Sequence, residues 1–428
     1  MAYRNRRLSL IAIGCFSLSV CLLFSSITLV RGEEPTIWEK TYGGINNDDC
    51  FSVLKAPDGG YMLAGDTASF GAGETDVWLI KTDVNANVEW NKTYGGAASD
   101  DVQFMIADDD GYIIAGRTYS FGEGDADLWL IKTDFNGNMV WNRTYGGPQT
   151  EWCWSIVKTS DDGYALLGRT NSYGAGDNDF WLVKTDSEGL LDWNKTIGDI
   201  GNQRGRFLVN TVDGGFLLLG WTNSSGAGEV DFWVVKTDQY GNPQWNQTYG
   251  GENADRGISL VKTDDNGYVL AGSTSSFGAG NSDIWLIKID DDGNPMWNQT
   301  YGGSEDESTS SILVADDGGY VFVGYTYSFG AGDQDVWLVK TNSAGNVEWN
   351  QTYGGIAHEV ARSLLRTEEG GYLLAGFSAS YGAGDTDVFL IKTDAQGIIP
   401  EFSSLMIIPF FLITTLVILF RNKVNKKF

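Results

Sequence analysis

The phrase WNQTYGG occurs three times, at 245–251, 297–303 and 349–355, and near copies start at Trp38, Trp90, Trp141 and Trp193. The seven tryptophans are spaced by 52, 51, 52, 52, 52 and 52 residues. A fixed period of this length belongs to a chain whose unit cannot bury its apolar face alone and must stack on copies of itself. It restricts the fold to a solenoid or a closed ring before any other feature is read.

In the unit that starts at Trp297, four short runs carry apolar residues at strand spacing: 310–315, 320–326, 335–341 and 347–353. The breaks between them hold Gly with Asp or Asn, the residues that accept positive φ at little cost. No stretch outside the termini shows helical spacing. Four antiparallel strands in a unit of about 50 residues make a propeller blade. Seven units over 36–398 therefore predict an all-β, seven-bladed β-propeller of four-stranded blades. The last unit ends DVFLIKTDAQGIIP and lacks its WNxTY strand, whereas the first is preceded by a surplus one, TIWEKTYGG. The N-terminal strand is expected to complete the seventh blade and close the ring, leaving no long free edge. With 56 Gly, 16 Trp and 42% apolar residues, the composition suits strands and tight turns and excludes a disordered chain.

The ends read differently. Arg4, Arg6 and Arg7 precede an uncharged run from Leu8 to Val30, so 1–32 is a leader, either a cleaved signal peptide or a signal anchor. A linker at 399–403 leads to a hydrophobic transmembrane helix at 404–420 and a basic tail at 421–428. Basic residues at both ends stay cytoplasmic, which puts everything between them outside the cell. All 56 acids lie between Glu33 and Glu401, where 21 basic residues oppose them and leave a net charge of −35. That surplus excludes nucleic acid as a partner and suits a cation-rich exterior.

Two resemblances follow from quoted residues. PEF at 400–402, followed by a hydrophobic run and a basic tail, resembles the tripartite sorting signals of archaeal and bacterial surface proteins. It implies a cell-surface protein whose tail a sortase-like enzyme removes. KTDFNGNMVW at 132–141 resembles the tryptophan-docking turn of quinoprotein propellers. It implies that each Trp wedges between neighbouring blades, with WNxTY outermost and the 310–315 type of segment innermost.

Catalysis finds little support. The one His is His358, no Cys/His ligand cluster exists, and Cys50 and Cys153 occupy equivalent places in two repeats, as small buried residues would. The quinoprotein dehydrogenases need adjacent cysteines, which this chain lacks. KTDxxGNxxW also misses the spacing of sialidase Asp boxes. A non-enzyme is expected, with a carboxylate-based hydrolase as a third alternative.

Three constellations remain. Ten residues after each Trp stand Asp48, Asp100, Glu151, Gln203, Asp255, Glu307 and Glu359. The six carboxylates among them either gather at the channel mouth to hold a cation such as Ca²⁺ or accept hydrogen bonds from the adjacent Gly-Gly amides. No other cofactor is expected. Second, the neighbouring positions break the repeat, with Trp152, Trp154, Arg204, Arg206 and Arg362 on the first strand and Arg117, Arg169, Trp221 and Tyr325 on the second. Exposed aromatics with arginine on one loop face are expected to form a ligand-binding surface for sugar rings or peptide side chains; drift among repeats gives the same pattern. Third, Asn91, Asn142, Asn194, Asn246, Asn298 and Asn350 lie in WNxT sequons and Asn223 in NSS. These are glycan acceptors around the rim or polar outer-face residues copied by duplication.

The sequence thus reads as a monomeric, membrane-anchored extracellular propeller that binds a surface glycan or protein, as an adhesion module does. The alternative is a structural envelope component without a specific ligand.

Overall fold

The computed structural model describes residues 38–399. The leader at 1–32, the helix at 404–420, the tail at 421–428 and all but the first residue of the linker lie outside the described residues. Twenty-eight strands form seven antiparallel four-stranded sheets. Blade 1 runs from Asp48 to Tyr94, blade 2 from Asp100 to Tyr145, blade 3 from Glu151 to Ile197 and blade 4 from Gln203 to Tyr249. Blade 5 runs from Asp255 to Tyr301 and blade 6 from Glu307 to Tyr353. Blade 7 starts at Glu359, and its fourth strand is Trp38–Tyr42, paired from Trp38↔Lys392 to Tyr42↔Val388. The ring is therefore closed by the N-terminal strand, as expected.

The first strand of each blade is innermost and touches the first strand of both neighbours. Seven apolar clusters lie between successive blades rather than within them. The cluster joining blades 7 and 1 combines Leu373, Val388 and Leu390 with Cys50, Leu63 and Trp78. A blade has two apolar faces, so it is stable only when both are covered, and closure covers the last pair. Cys50 and Cys153 are both free and buried, and burial pushes their thiols up to about 12.

The repeated phrase is the device that joins blades. The Tyr that ends WNxTY donates its hydroxyl to a turn carbonyl of the next blade: Tyr94 to Gly137 at 2.5 Å, Tyr249 to Gly293 and Tyr301 to Gly345 at 2.6 Å each. Tyr145 reaches Gly189, Tyr353 reaches Gly397, and Tyr42 crosses the closure to Ala86 at 2.8 Å. Blade 3 alone has Ile197 at this position and no such bond. The phrase's Trp lies over the same turn: a Cβ on Gly137 would strike the Trp90 ring, and one on Gly293 the Trp245 ring. These turn glycines also hold positive φ, so both shape and backbone call for glycine there. The first Gly of Gly-Gly passes between two carboxylates, as Gly95 does between Asp76 and Asp100.

Asp76 caps the loop before its strand by accepting from the Ala72 and Gly73 amides at 2.7 and 3.0 Å. The equivalent third-strand Lys is buried in every blade and always paired. Lys81 meets Asp58 at 2.7 Å, Lys288 meets Asp265 at 2.8 Å, and Lys392 meets Glu369 at 3.0 Å.

One boundary differs from the sequence reading. The innermost strand of blade 6 begins at Glu307, not at Ser310. A register shift between Thr309 and Ser311 breaks the alternation there, so period-two reading loses its first residues.

Candidate ligand-binding channel

That register shift recurs in every blade at the equivalent place, for example between Cys153 and Ser155 and between Gly205 and Phe207. A β-bulge leaves one residue unpaired and re-aims its side chain. The seven bulged residues are Phe51, Gln103, Trp154, Arg206, Ile258, Ser310 and Arg362, and all seven line one cavity of about 600 Å³ bounded by every innermost strand. Six different side-chain types stand at these seven equivalent positions, although the strands that carry them otherwise repeat closely. The sequence pattern singled out Trp154, Arg206 and Arg362. It did not identify Phe51, Gln103, Ile258 and Ser310 as their counterparts, although the broken alternation was the available signal.

The expected binding residues come together at this end of the innermost strands, because cross-strand pairing sets the two variable positions side by side: Asp101↔Arg117, Trp152↔Arg169, Arg204↔Trp221 and Ser308↔Tyr325. The aromatics are not the exposed platforms expected. Trp154 is only 9% exposed, and Trp152 and Trp221 are half-buried. Trp152 stacks on Trp154 with ring centroids 4.9 Å apart and planes at 13°. The Arg117 guanidinium lies 3.6 Å from the Trp152 ring centre, and Arg169 lies within 5.7 Å of both tryptophans. Arg206 sits 5.0 Å from Trp154, and Arg204 5.0 Å from Trp221. Arg362, across the channel, lies between Phe51 at 5.3 Å and Phe377 at 5.6 Å. The rings are taken up in holding guanidinium groups, an arrangement that fixes the planar cation and leaves its N–H edge as the reactive surface.

Arg117 alone among these is neutralised, by Asp101, whose Oδ2 also accepts from Nε at 3.0 Å. Among the described residues, Arg169, Arg204, Arg206 and Arg362 have no ion pair, and the Nε atoms of Arg169, Arg204 and Arg362 have no hydrogen-bond partner; Arg362 nonetheless stands in the field of the Asp49 and Asp66 carboxyls. Burial, reinforced by the neighbouring guanidiniums, pulls Arg169 and Arg206 down to about 10, so both remain cations at neutral pH. On the other side of the mouth, burial raises the carboxyls of Asp49 and Asp66.

The six carboxylates expected near the mouth are engaged one to a blade. Asp48 accepts from the Gly44 amide and the Ser69 hydroxyl at 2.7 Å each, and from Thr67. Glu151 accepts from the Gly147 amide and Thr170 at 2.8 Å each, and Asp100, Asp255, Glu307 and Glu359 repeat the Gly amide bond at 2.7–2.8 Å. Blade 4 replaces the carboxylate with Gln203, which bonds Ser224 at 2.7 Å, so the position works without charge. Among the described residues no three His, Cys, Asp or Glu side chains come together as a metal site needs.

The sequon asparagines have a structural partner that sequence reading missed. Each indole Nε1 of the third strand donates to Oδ1 of the facing Asn: Trp78 to Asn91, Trp129 to Asn142 and Trp233 to Asn246 at 3.2 Å, Trp181 to Asn194 at 3.3 Å. Trp285 does so to Asn298 at 3.2 Å and Trp337 to Asn350 at 3.1 Å. Blade 7, where Phe389 replaces the Trp, carries Glu39 in place of the Asn. All six asparagines are exposed on the outermost strand. Asn223, also exposed, accepts from the Asn202 amide at 2.6 Å.

No family model matches this chain, and no curated protein matches it in sequence. Several solved structures align with most of its length. The WD40 domain of Neurospora crassa Pan2 aligns over 81% of this chain and 90% of its own at 12% identity and a TM-score of 0.48. BBS1N, solved in complex with ARL6DN, aligns over 86% and 96% at 9% identity and 0.48. A putative 6-phosphogluconolactonase from Bacteroides fragilis aligns over 80% and 93% at 12% identity and 0.47. The fold and channel together define a closed seven-bladed β-propeller with an arginine- and aromatic-lined axial cavity.

Proposed function

We propose that this propeller is a non-enzymatic binding module, displayed outside the cell on the anchor at 404–420, that holds a surface glycan or protein group in its axial channel. The observation that supports it is the bulge: a repeated backbone irregularity aims seven side chains, of six types, into one 600 Å³ cavity, within the size range of ligand pockets.

The test is a screen of the purified full chain on arrays of surface polysaccharides and proteins, followed by Ser310→Trp, which puts a bulky ring into the channel from a bulge position outside the apolar cores. Saturable binding lost in Ser310→Trp supports the reading. Blank arrays, or binding indifferent to Ser310→Trp, sink it and favour the envelope-coat alternative.

A further inference from the structure

The buried lysines of the third strands are all paired, and the channel arginines contrast with them. The seven equivalent third-strand lysines, five of them in KTD, are all buried, and each has a carboxylate within 3.0 Å. Arg169, Arg204, Arg206 and Arg362 have none, although the protein as a whole carries a charge of −27. An acidic chain has carboxylates to spare, so four unpaired guanidiniums at one site are not a shortage of partners. Leaving a half-buried cation unpaired costs folding free energy, and such groups persist where a ligand supplies the counter-charge. Each of the four lies against at least one aromatic ring. Arg206 and Arg362 enter from blades 4 and 7, on well-separated parts of the ring, and both line the cavity. A single ligand could therefore meet two guanidiniums at once.

We propose that the channel is a receptor for an oxyanion ligand: a small molecule, or the end of a larger one, bearing at least two carboxylate or phosphate groups. Guanidinium N–H edges match both groups bidentately. The inference rests on the binding reading above and names its chemistry. Arg206 and Arg362 hold the anionic groups inside the channel, and Arg169 and Arg204 add charge at the mouth. Trp152, Trp154 and Trp221 act as supports for the arginines rather than as stacking surfaces for a sugar.

The experiment is calorimetric titration of the full chain with citrate, pyrophosphate and neutral maltose, repeated on Arg206→Gln and Arg362→Gln. Citrate or pyrophosphate should bind saturably and maltose should not, and the preferred anion tells a carboxylate ligand from a phosphate one. Either substitution should weaken binding roughly tenfold to a hundredfold. Arg206→Gln should leave the melting temperature of the free protein unchanged, since no carboxylate loses a partner, and Arg362→Gln should lower it only slightly, through the lost attraction to Asp49. Three results would overturn the proposal: no saturable binding of either anion, equal affinity in both variants, or a melting point several degrees lower in both, which would make the arginines structural. If the arrays show binding that Ser310→Trp removes while both anions fail, the channel binds something uncharged and only the anion assignment falls. If arrays and anions both fail, the binding reading falls with it.

Discussion

Replacing Ile197 with tyrosine should stabilise the ring at its one unstapled junction. Six of the seven outer strands end in a Tyr whose hydroxyl reaches a turn carbonyl of the next blade; blade 3 ends in Ile197, 9% exposed and packed against the blade 4 core. Three of the six equivalent tyrosines are as well buried, with Tyr94 and Tyr145 at 8% and Tyr301 at 7%, and the other three are half-buried, so the frame accommodates the ring. The acceptor would be Gly241, whose φ of 75° matches Gly137, Gly189 and Gly293. Apolar burial changes little, and the net gain is one hydrogen bond of about 1 kcal/mol. With an unfolding entropy of about 2.1 cal/mol/K per residue over roughly 360 residues, that gain raises Tm by only about 1 °C if the ring unfolds in one step. Tyr94→Phe is the reciprocal control and should lower Tm by at least as much, because it leaves the Gly137 carbonyl without its donor. Scanning calorimetry on the two variants is the assay. A lower Tm for Ile197→Tyr together with an unchanged Tm for Tyr94→Phe would refute the claim that these hydroxyls join the blades.

Asn298→Asp keeps an oxygen for the Trp285 indole but removes the amide that a glycan would occupy. Its melting point should match that of the parent, whereas Asn298→Ala should lose about 1 kcal/mol; intact mass from the native host then reports modification separately. Gly95→Ala would drive a methyl into the Asp76 carboxylate, and overpacking a fixed passage of this kind should cost about 3 kcal/mol or more, read as loss of soluble protein or a lower denaturation midpoint. The Lys288 ammonium holds Asp265 down at about 2, so its contribution is present above the usual carboxylate range and is lost as pH falls towards 2. Asp265→Asn should flatten the acid limb of the stability curve. Burial pushes Asp127 up to about 6, which has the opposite sign: the folded state keeps that proton, and stability declines as pH rises from about 4 through 6. Asp127→Asn should remove that decline.

Much of the architecture was legible in the letters. The 52-residue step, the four alternating runs and the displaced WNxTY strand together specify blade number, strand count and the way the ring closes. Three of the four strands of blade 6 begin and end where alternation places them, at Tyr320–Thr326, Asp335–Thr341 and Val347–Tyr353. These features are local and repeated, so the spacing of apolar residues carries them.

The channel was legible only in part. Which positions vary could be counted along the chain, and that count picked out Trp152, Trp154, Arg204 and Arg206. It could not show that Trp152 is covered by Arg117, which belongs to another blade, or that the bulge stacks Trp154 on it. Nor could it show that four arginines stand unpaired, since pairing depends on where the carboxylates of other turns end up. The six sequon asparagines carry the same lesson: spacing marked them, but their indole partners sit on the adjacent strand. By itself the sequence determined the ring, because a repeating apolar period has one way to bury itself in seven closed blades. What lies inside the ring was decided by tertiary structure, because a bulge breaks the very alternation by which a strand is read and turns its odd residue toward the axis.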